Sequence, residues 1–124
     1  MKISPSELPL LKALWSKGEL SAREIHEQVS VSKSWSFSTT RKTLERMVGK
    51  DMVAMRELHG VRVYTAQVEK VSTLASMTRD FISRVLEVKG PLPGSMFTGS
   101  EILEPDEIKE LEKLMKDFDE SEQS

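Results

Sequence analysis

Residues 35–49 read Trp35-Ser36-Phe37-Ser38-Thr39-Thr40-Arg41-Lys42-Thr43-Leu44-Glu45-Arg46-Met47-Val48-Gly49, and the reading of the whole chain turns on them. A helix is predicted to begin near Ser36, because Phe37, Thr40, Leu44, Met47 and Val48 are spaced for one buried stripe. The other face carries Ser38, Thr39, Arg41, Lys42, Glu45 and Arg46. A helix that lies in a DNA major groove needs short hydroxyls near its N-terminus to approach phosphates and base edges. It also needs long multidentate donors further along, to reach guanine edges or flanking phosphates. Ser38, Thr39, Arg41, Lys42 and Arg46 are of those types. A solvated helix surface has a similar composition, so the flanking segments decide between the two.

Upstream, Ser4-Pro5-Ser6-Glu7 has a hydroxyl, a proline and a glutamate at the spacing of a helix start. Leu8, Leu11, Leu14 and Trp15 then mark an apolar face that Gly18 terminates, and Trp15 reads as core. Ser21-Ala22-Arg23-Glu24 repeats the capping pattern and opens a short second helix with Ile25 and Val29 inward. Downstream the period shifts to that of strands. Met52–Leu58 and Val61–Ala66 are predicted to form a hairpin joined at His59-Gly60, two residues able to take the positive φ of a tight turn. Three short helices followed by a hairpin is the layout of a winged helix-turn-helix. Arg56 and Arg62 on the hairpin are available to grip backbone phosphate beside the groove. Trp35 is placed either to brace the approach of the third helix or to stack near the sugar-phosphate backbone.

The charge is divided along the chain. Residues 1–66 hold eleven basic and seven acidic side chains, a net of +4, whereas residues 67–124 hold seven and thirteen, a net of −6. Such asymmetry accompanies a nucleic-acid-binding part joined to an acidic part. The overall −2 is the sum of the two and hides the division. The absence of cysteine among the 124 residues excludes disulfides, thiolate metal sites and cysteine nucleophiles. No apolar run is long enough to span a bilayer, and Met1-Lys2-Ile3-Ser4-Pro5 lacks an apolar signal core, so a cytoplasmic location without membrane insertion is expected. His26 and His59 have no metal-ligand spacing, and no metal or other cofactor is expected. Ser30-Val31-Ser32-Lys33 matches the S-x-x-K string of serine acyl-transferases, but the companion motifs of that class are missing. The chain is not expected to be an enzyme.

The second half reads as two helices separated by Gly90-Pro91-Leu92-Pro93-Gly94. The first is predicted over Val68–Lys89, with a seam at Val71, Leu74, Thr78, Phe81, Val85 and Val88. The second starts at Glu104-Pro105-Asp106-Glu107, with a seam at Ile108, Leu111, Met115 and Phe118 and acidic residues where the helix dipole favours them. Neither helix can bury such a stripe alone, which points to a partner chain. The fold class is therefore mainly α with a small β-hairpin: a winged helix-turn-helix domain over 1–67, then C-terminal dimerisation helices over 68–124.

Leu11 to Trp15, the helix start at Ser21 to Ile25, and above all Trp35-Ser36-x-x-Thr39-x-x-x-x-Leu44-x-Arg46-Met47 resemble the penicillinase-repressor (BlaI/MecI/CopY) family. Val61-Arg62-Val63-Tyr64-Thr65-Ala66 looks like that family's wing strand, and Met77 to Leu86 is similar to its stretch after the wing. The resemblance spans nearly the whole chain and is most specific from Trp35 to Met47. It implies a bacterial winged-helix repressor that dimerises through its C-terminal helices and binds a palindromic operator. It further implies that Ser38, Thr39, Arg41 and Lys42 face the major groove with Arg46 near phosphate, and that Val71 to Val88 and Ile108 to Phe118 form the dimer interface. Three features depart from the family. Asp51 stands where the family has a glycine after the recognition helix, so Gly49 is expected to end that helix. Met96-Phe97 stands at the Asn-Phe bond cleaved in members controlled by a membrane-bound sensor, which counts against induction by that cleavage, while an upstream membrane sensor stays open as a partner. The C-terminal cysteines of the copper-responsive members are absent.

The expected function is sequence-specific repression by a homodimer bound to a pseudo-palindromic double-stranded DNA operator. The competing readings are a winged-helix module that binds protein and not DNA, and a small hydrolase acting through Ser30 and Lys33. Salt-sensitive DNA binding separates the first from a repressor, and labelling by a serine-reactive probe separates the second.

Overall fold

A computed structural model describes residues 2–89 and 94–123, with side chains in the second stretch given for 95–117. The chain divides into two compact units, Met1–Val68 and Glu69–Ser124.

The first unit contains α1 (Leu8–Lys17), β1 (Leu20–Ser21), α2 (Ala22–Val29), α3 (Phe37–Gly49), β2 (Val53–Leu58) and β3 (Val61–Ala66). Its helix ends follow from local chemistry. Ser21 accepts from the Glu24 amide while Glu24 Oε1 accepts from the Ser21 amide, a complete capping box for α2. Ser36 caps α3 by accepting from the Thr39 amide at 3.3 Å. The first helix starts later than the Ser4–Glu7 pattern suggests. Ser4 Oγ lies against Ser6 Oγ and does not cap, residues 5–7 form a turn, and the helix proper begins at Leu8 with Pro9 in its first turn.

Asp51, not Gly49, is the residue that stops α3. Gly49 is the last helical residue, whereas Asp51 takes the left-handed conformation at φ +61°. The Met52 amide then donates to the Met47 carbonyl at 2.9 Å, and the Asp51 amide to the Val48 carbonyl at 3.1 Å. This is the paired closure of a Schellman turn, sealed by Met47 and Met52, both fully buried. Met52 is therefore part of that closure, and β2 begins at Val53.

The hairpin closes as expected, with His59 at φ +51° and Gly60 at φ +79° supplying the two positive angles of a two-residue turn. Leu58 pairs with Val61, and the ladder runs in register back to Val53 opposite Ala66. The sheet has a third strand that the sequence reading lacks. In the order β1-β3-β2, Leu20 pairs with Tyr64 and Ser21 with Val63. The core gathers Leu10, Leu11 and Leu14 of α1, Ile25 and Val29 of α2, Leu44 and Met47 of α3, and Val53 and Tyr64 of the sheet. Each large aliphatic side chain buried this way contributes about 1.5–3 kcal/mol. Trp15 is half-buried beside this cluster, and its indole N–H donates to the Val68 carbonyl at 3.0 Å.

The second unit holds α4 (Lys70–Arg84), a 3-10 turn (Gly94–Phe97) and α5 (Pro105–Gln123). The first of these is shorter than the Val68–Lys89 expectation. It ends at Arg84, Glu87 turns left-handed at φ +55°, and the Val88 amide returns to the Ile82 carbonyl at 3.1 Å. Val85 and Val88 thus lie beyond the helix and are exposed. The two helices also cover part of their stripes within one chain. Val71 and Ala75 of α4 are buried in a cluster with Leu111 and Met115 of α5, and Lys70 Nζ meets Glu107 Oε1 at 3.0 Å. Val71, Leu111 and Met115 are therefore core of this unit, not free surface. Leu74 and Ile108 are half-buried, Phe81 is exposed, and the Phe118 side chain lies outside the described residues. The Gly90–Pro93 stretch likewise lies outside the described residues.

Candidate nucleic-acid interface

The third helix separates its two faces largely as its spacing predicts, but Phe37 and Val48 of the expected stripe are only half-buried and Thr43 joins the buried side. Thr40, Thr43, Leu44 and Met47 are buried, whereas Ser38, Arg41, Lys42, Glu45 and Arg46 are exposed and Thr39 is half-exposed. Two of the buried residues are hydroxyls, and each is satisfied. Thr43 Oγ1 donates to the Thr39 carbonyl at 2.8 Å, and Thr40 Oγ1 lies 2.8 Å from His26 Nδ1 on α2. His26 is one of the two histidines without metal-ligand spacing. It is half-buried and ties α2 to the buried side of α3, a contact across fourteen residues that no local pattern marks.

The exposed cations of α3 do different things. Ser38, Arg41 and Lys42 make no hydrogen bond or ion pair among the described residues, so their polar groups are free for an outside ligand. Arg46 is already engaged: its Nε donates to Glu7 Oε2 at 3.1 Å and its Nη2 to Ser6 Oγ at 2.9 Å. Lys50 Nζ sits 3.2 and 3.1 Å from the two Glu7 oxygens, and the Ser4 amide donates to Oε1 at 2.8 Å. Glu7 itself is fully buried. Burial opposes its ionisation, but the Ser4 amide, Arg46 and Lys50 together outweigh that and hold its pKa at about 2, from an ordinary 4.5. The sequence reading took Glu7 as a capping residue and missed this hub. A glutamate three residues after a serine gives no sign of a partner forty residues away.

The hairpin arginines also divide. Arg56 is bound to Glu19 through two short hydrogen bonds, Nε to Oε2 at 2.7 Å and Nη2 to Oε1 at 2.6 Å. That pairing lowers the Glu19 pKa and raises that of Arg56. Arg62 is exposed and makes no such pair among the described residues. It lines a cleft of about 510 Å³ between the start of α2, the outer face of α3 and strand β3, together with Arg23, Phe37, Arg41 and Glu45. Arg23 was not a sequence candidate. Its guanidinium lies 4.1 Å from the centre of the Phe37 ring, and His26 meets the same ring edge-on at 5.5 Å. Trp35 is half-buried against the core, with its indole N–H enclosed and without a hydrogen-bond partner among the described residues, as suits bracing. Ser30 and Lys33 are exposed in the α2–α3 connection, and Ser30 Oγ donates to the Glu27 carbonyl at 3.4 Å, with no hydrogen bond to Lys33 among the described residues. Among the described residues no cluster of three acidic, histidine or cysteine side chains could hold a metal, and no helix is long and apolar enough to cross a membrane.

Residues 3–117 match the family model described as penicillinase repressor. The chain belongs to the penicillinase repressor family. Among curated relatives, the methicillin resistance regulatory protein MecI of Staphylococcus aureus is 28% identical over 116 residues, covering 92% of this chain and 93% of the relative. The penicillinase repressor of Bacillus licheniformis is 24% identical, covering 94% and 91%. Among solved structures, the monomeric form of B. licheniformis BlaI in complex with the blaP half-operator aligns at a TM-score of 0.51 and 26% identity, over 56% of this chain and 85% of that one. BpsR of Bordetella bronchiseptica aligns at 0.50 and 18% identity, over 94% and 80%, and speaks to the fold alone. The winged-helix fold and the family expected from the sequence both hold. With the family comes the coarse assignment: a DNA-binding transcriptional repressor, not an enzyme.

Proposed function

We propose that two copies of the chain bind a pseudo-palindromic operator, each inserting α3 into a major groove. In this reading the first unit is the DNA-binding domain and the second joins the copies, setting the half-site spacing near one or more helical turns, ~10 base pairs each. Ser38, Thr39, Arg41 and Lys42 read the groove, and Arg46 orients the helix through Glu7. The single observation that carries the reading is the exposed face of α3, where Ser38, Arg41 and Lys42 have no partner among the described residues while the opposite face is buried. Among the described residues of the second unit, Phe81 and Val85, 52% and 63% exposed, are seam residues left open to a partner, with Leu86 and Val88 beside them.

Selection of bound sequences from a random DNA pool should return a two-fold symmetric site. Arg41→Ala should cost about 1–3 kcal/mol on that site and much less on random DNA, as loss of a base contact does. Equal losses on both would make Arg41 a phosphate contact, and no selected sequence at all would remove the operator reading.

A further inference from the structure

The cleft beside α3 has a charge and a position that the major-groove reading leaves unused. Three arginines line it, Arg23 from α2, Arg41 from α3 and Arg62 from β3, against one carboxylate, Glu45. Arg23 and Arg62 have no carboxylate partner among the described residues, unlike Arg46 and Arg56, which are both taken up by glutamates. The aromatic ring under Arg23 matters here. Cation–π contact at 4.1 Å orients the guanidinium without neutralising it, so its N–H groups stay available to an anion.

The position points to which anion. Arg41 belongs both to the exposed face of α3 and to the rim of the cleft, so the two surfaces are continuous. In a duplex the major groove is bounded by a sugar–phosphate strand, with the minor groove on its far side. If α3 occupies the major groove, that bounding strand runs alongside it, over the cleft that separates α3 from the hairpin.

We propose that Arg23, held on Phe37, and Arg62 across the cleft clamp the sugar–phosphate strand that borders the groove read by Arg41. Arg23 is a phosphate-binding residue, and Phe37 a positioning residue that keeps it extended. The clamp contributes affinity and not sequence preference, because phosphates carry no base identity. It rests on the DNA-binding reading above, gives the phosphate contact expected of Arg62 its place, and adds to it Arg23 and the ring that supports it.

Salt titration of binding by fluorescence anisotropy, on a selected operator and on random duplex, tests it. Each neutralised phosphate contributes about 0.9 to the slope of log K against log salt. Arg23→Ala and Arg62→Ala should each reduce that slope by about 0.9 and weaken binding about fivefold to tenfold near 0.1 M salt, equally on both DNAs. Phe37→Leu keeps every charge, so it should weaken binding about twofold to fivefold with the slope unchanged. Circular dichroism melts of each variant confirm folding before binding is compared. A wild-type chain with no salt-sensitive DNA binding would overturn the DNA reading and the clamp with it. Wild-type binding with a full slope retained in Arg23→Ala and Arg62→Ala would overturn the clamp alone. So would saturation of the cleft by millimolar inorganic phosphate that leaves DNA binding untouched, which would assign it to a small anion.

Discussion

Arg46 Nε, on the solvent side of α3, donates at 3.1 Å to Oε2 of Glu7, a carboxylate with no exposed surface. The last turns of α3 are thereby moored to the segment that precedes α1. Removing the charge should loosen that mooring: Glu7→Gln should cost about 2 kcal/mol of stability near neutral pH, measured by urea unfolding.

The same group sets an acid limit. Its folded pKa of about 2 lies below the ordinary 4.5, so its contribution is fully present above about pH 4.5 and is lost as pH falls toward 2. A shift of that size corresponds to about 2–3 kcal/mol, given that Arg46 and Lys50 are themselves half in water. The stability gap between wild type and Glu7→Gln should therefore shrink steadily from pH 5 to pH 2. A gap that stays constant across that range would assign the cost to packing.

Asp51 holds a left-handed conformation that favours glycine. Asp51→Gly should stabilise the first unit by about 0.5–1 kcal/mol, and Asp51→Val should destabilise it by more. The check is the urea midpoint at unchanged m-value. An unstable Asp51→Gly would mean that the aspartate side chain supports the turn.

Arg56 is expected to be silent toward DNA because Glu19 already occupies its guanidinium fork. Arg56→Ala should leave the salt slope of binding unchanged. A loss near 0.9, the value for one phosphate, would show that Glu19 releases it on the duplex.

In the second unit, exposed and buried apolar residues should behave differently. Phe81→Glu should yield a folded monomer by sedimentation velocity, whereas Leu111→Ala should cost about 2–4 kcal/mol of stability in that unit. A dimer that survives Phe81→Glu places the interface on another face.

What was legible in the sequence was local. Ser21 with Glu24, Ser36 before a helical stripe, and His59-Gly60 between strands each declare themselves within four residues. What was not legible depended on distance. A two-residue strand such as β1 has no alternation to read, and it exists only because Val63 and Tyr64 lie beside it. The early end of α4 was hidden because Val85 and Val88 continue the apolar spacing past the point where Glu87 turns left-handed. The candidate interface was half visible: the exposed face of α3 could be listed from its spacing. That Glu7 takes up Arg46, Glu19 takes up Arg56, and Phe37 carries Arg23 could not.

Ser21 belongs at once to the sheet, where it pairs with Val63, and to the helix, where it closes the capping box of α2. No spacer separates strand from helix. A residue inserted between Ser21 and Glu24 would break the spacing that lets Ser21 both pair with Val63 and close the cap with Glu24, forcing a choice between strand pairing and cap. One added at the His59-Gly60 tip would change only the size of a loop. Length is thus a selectable property at one end of the sheet and a tolerated one at the other, and relatives that differ in hairpin length should still agree residue for residue from Leu20 to Glu24.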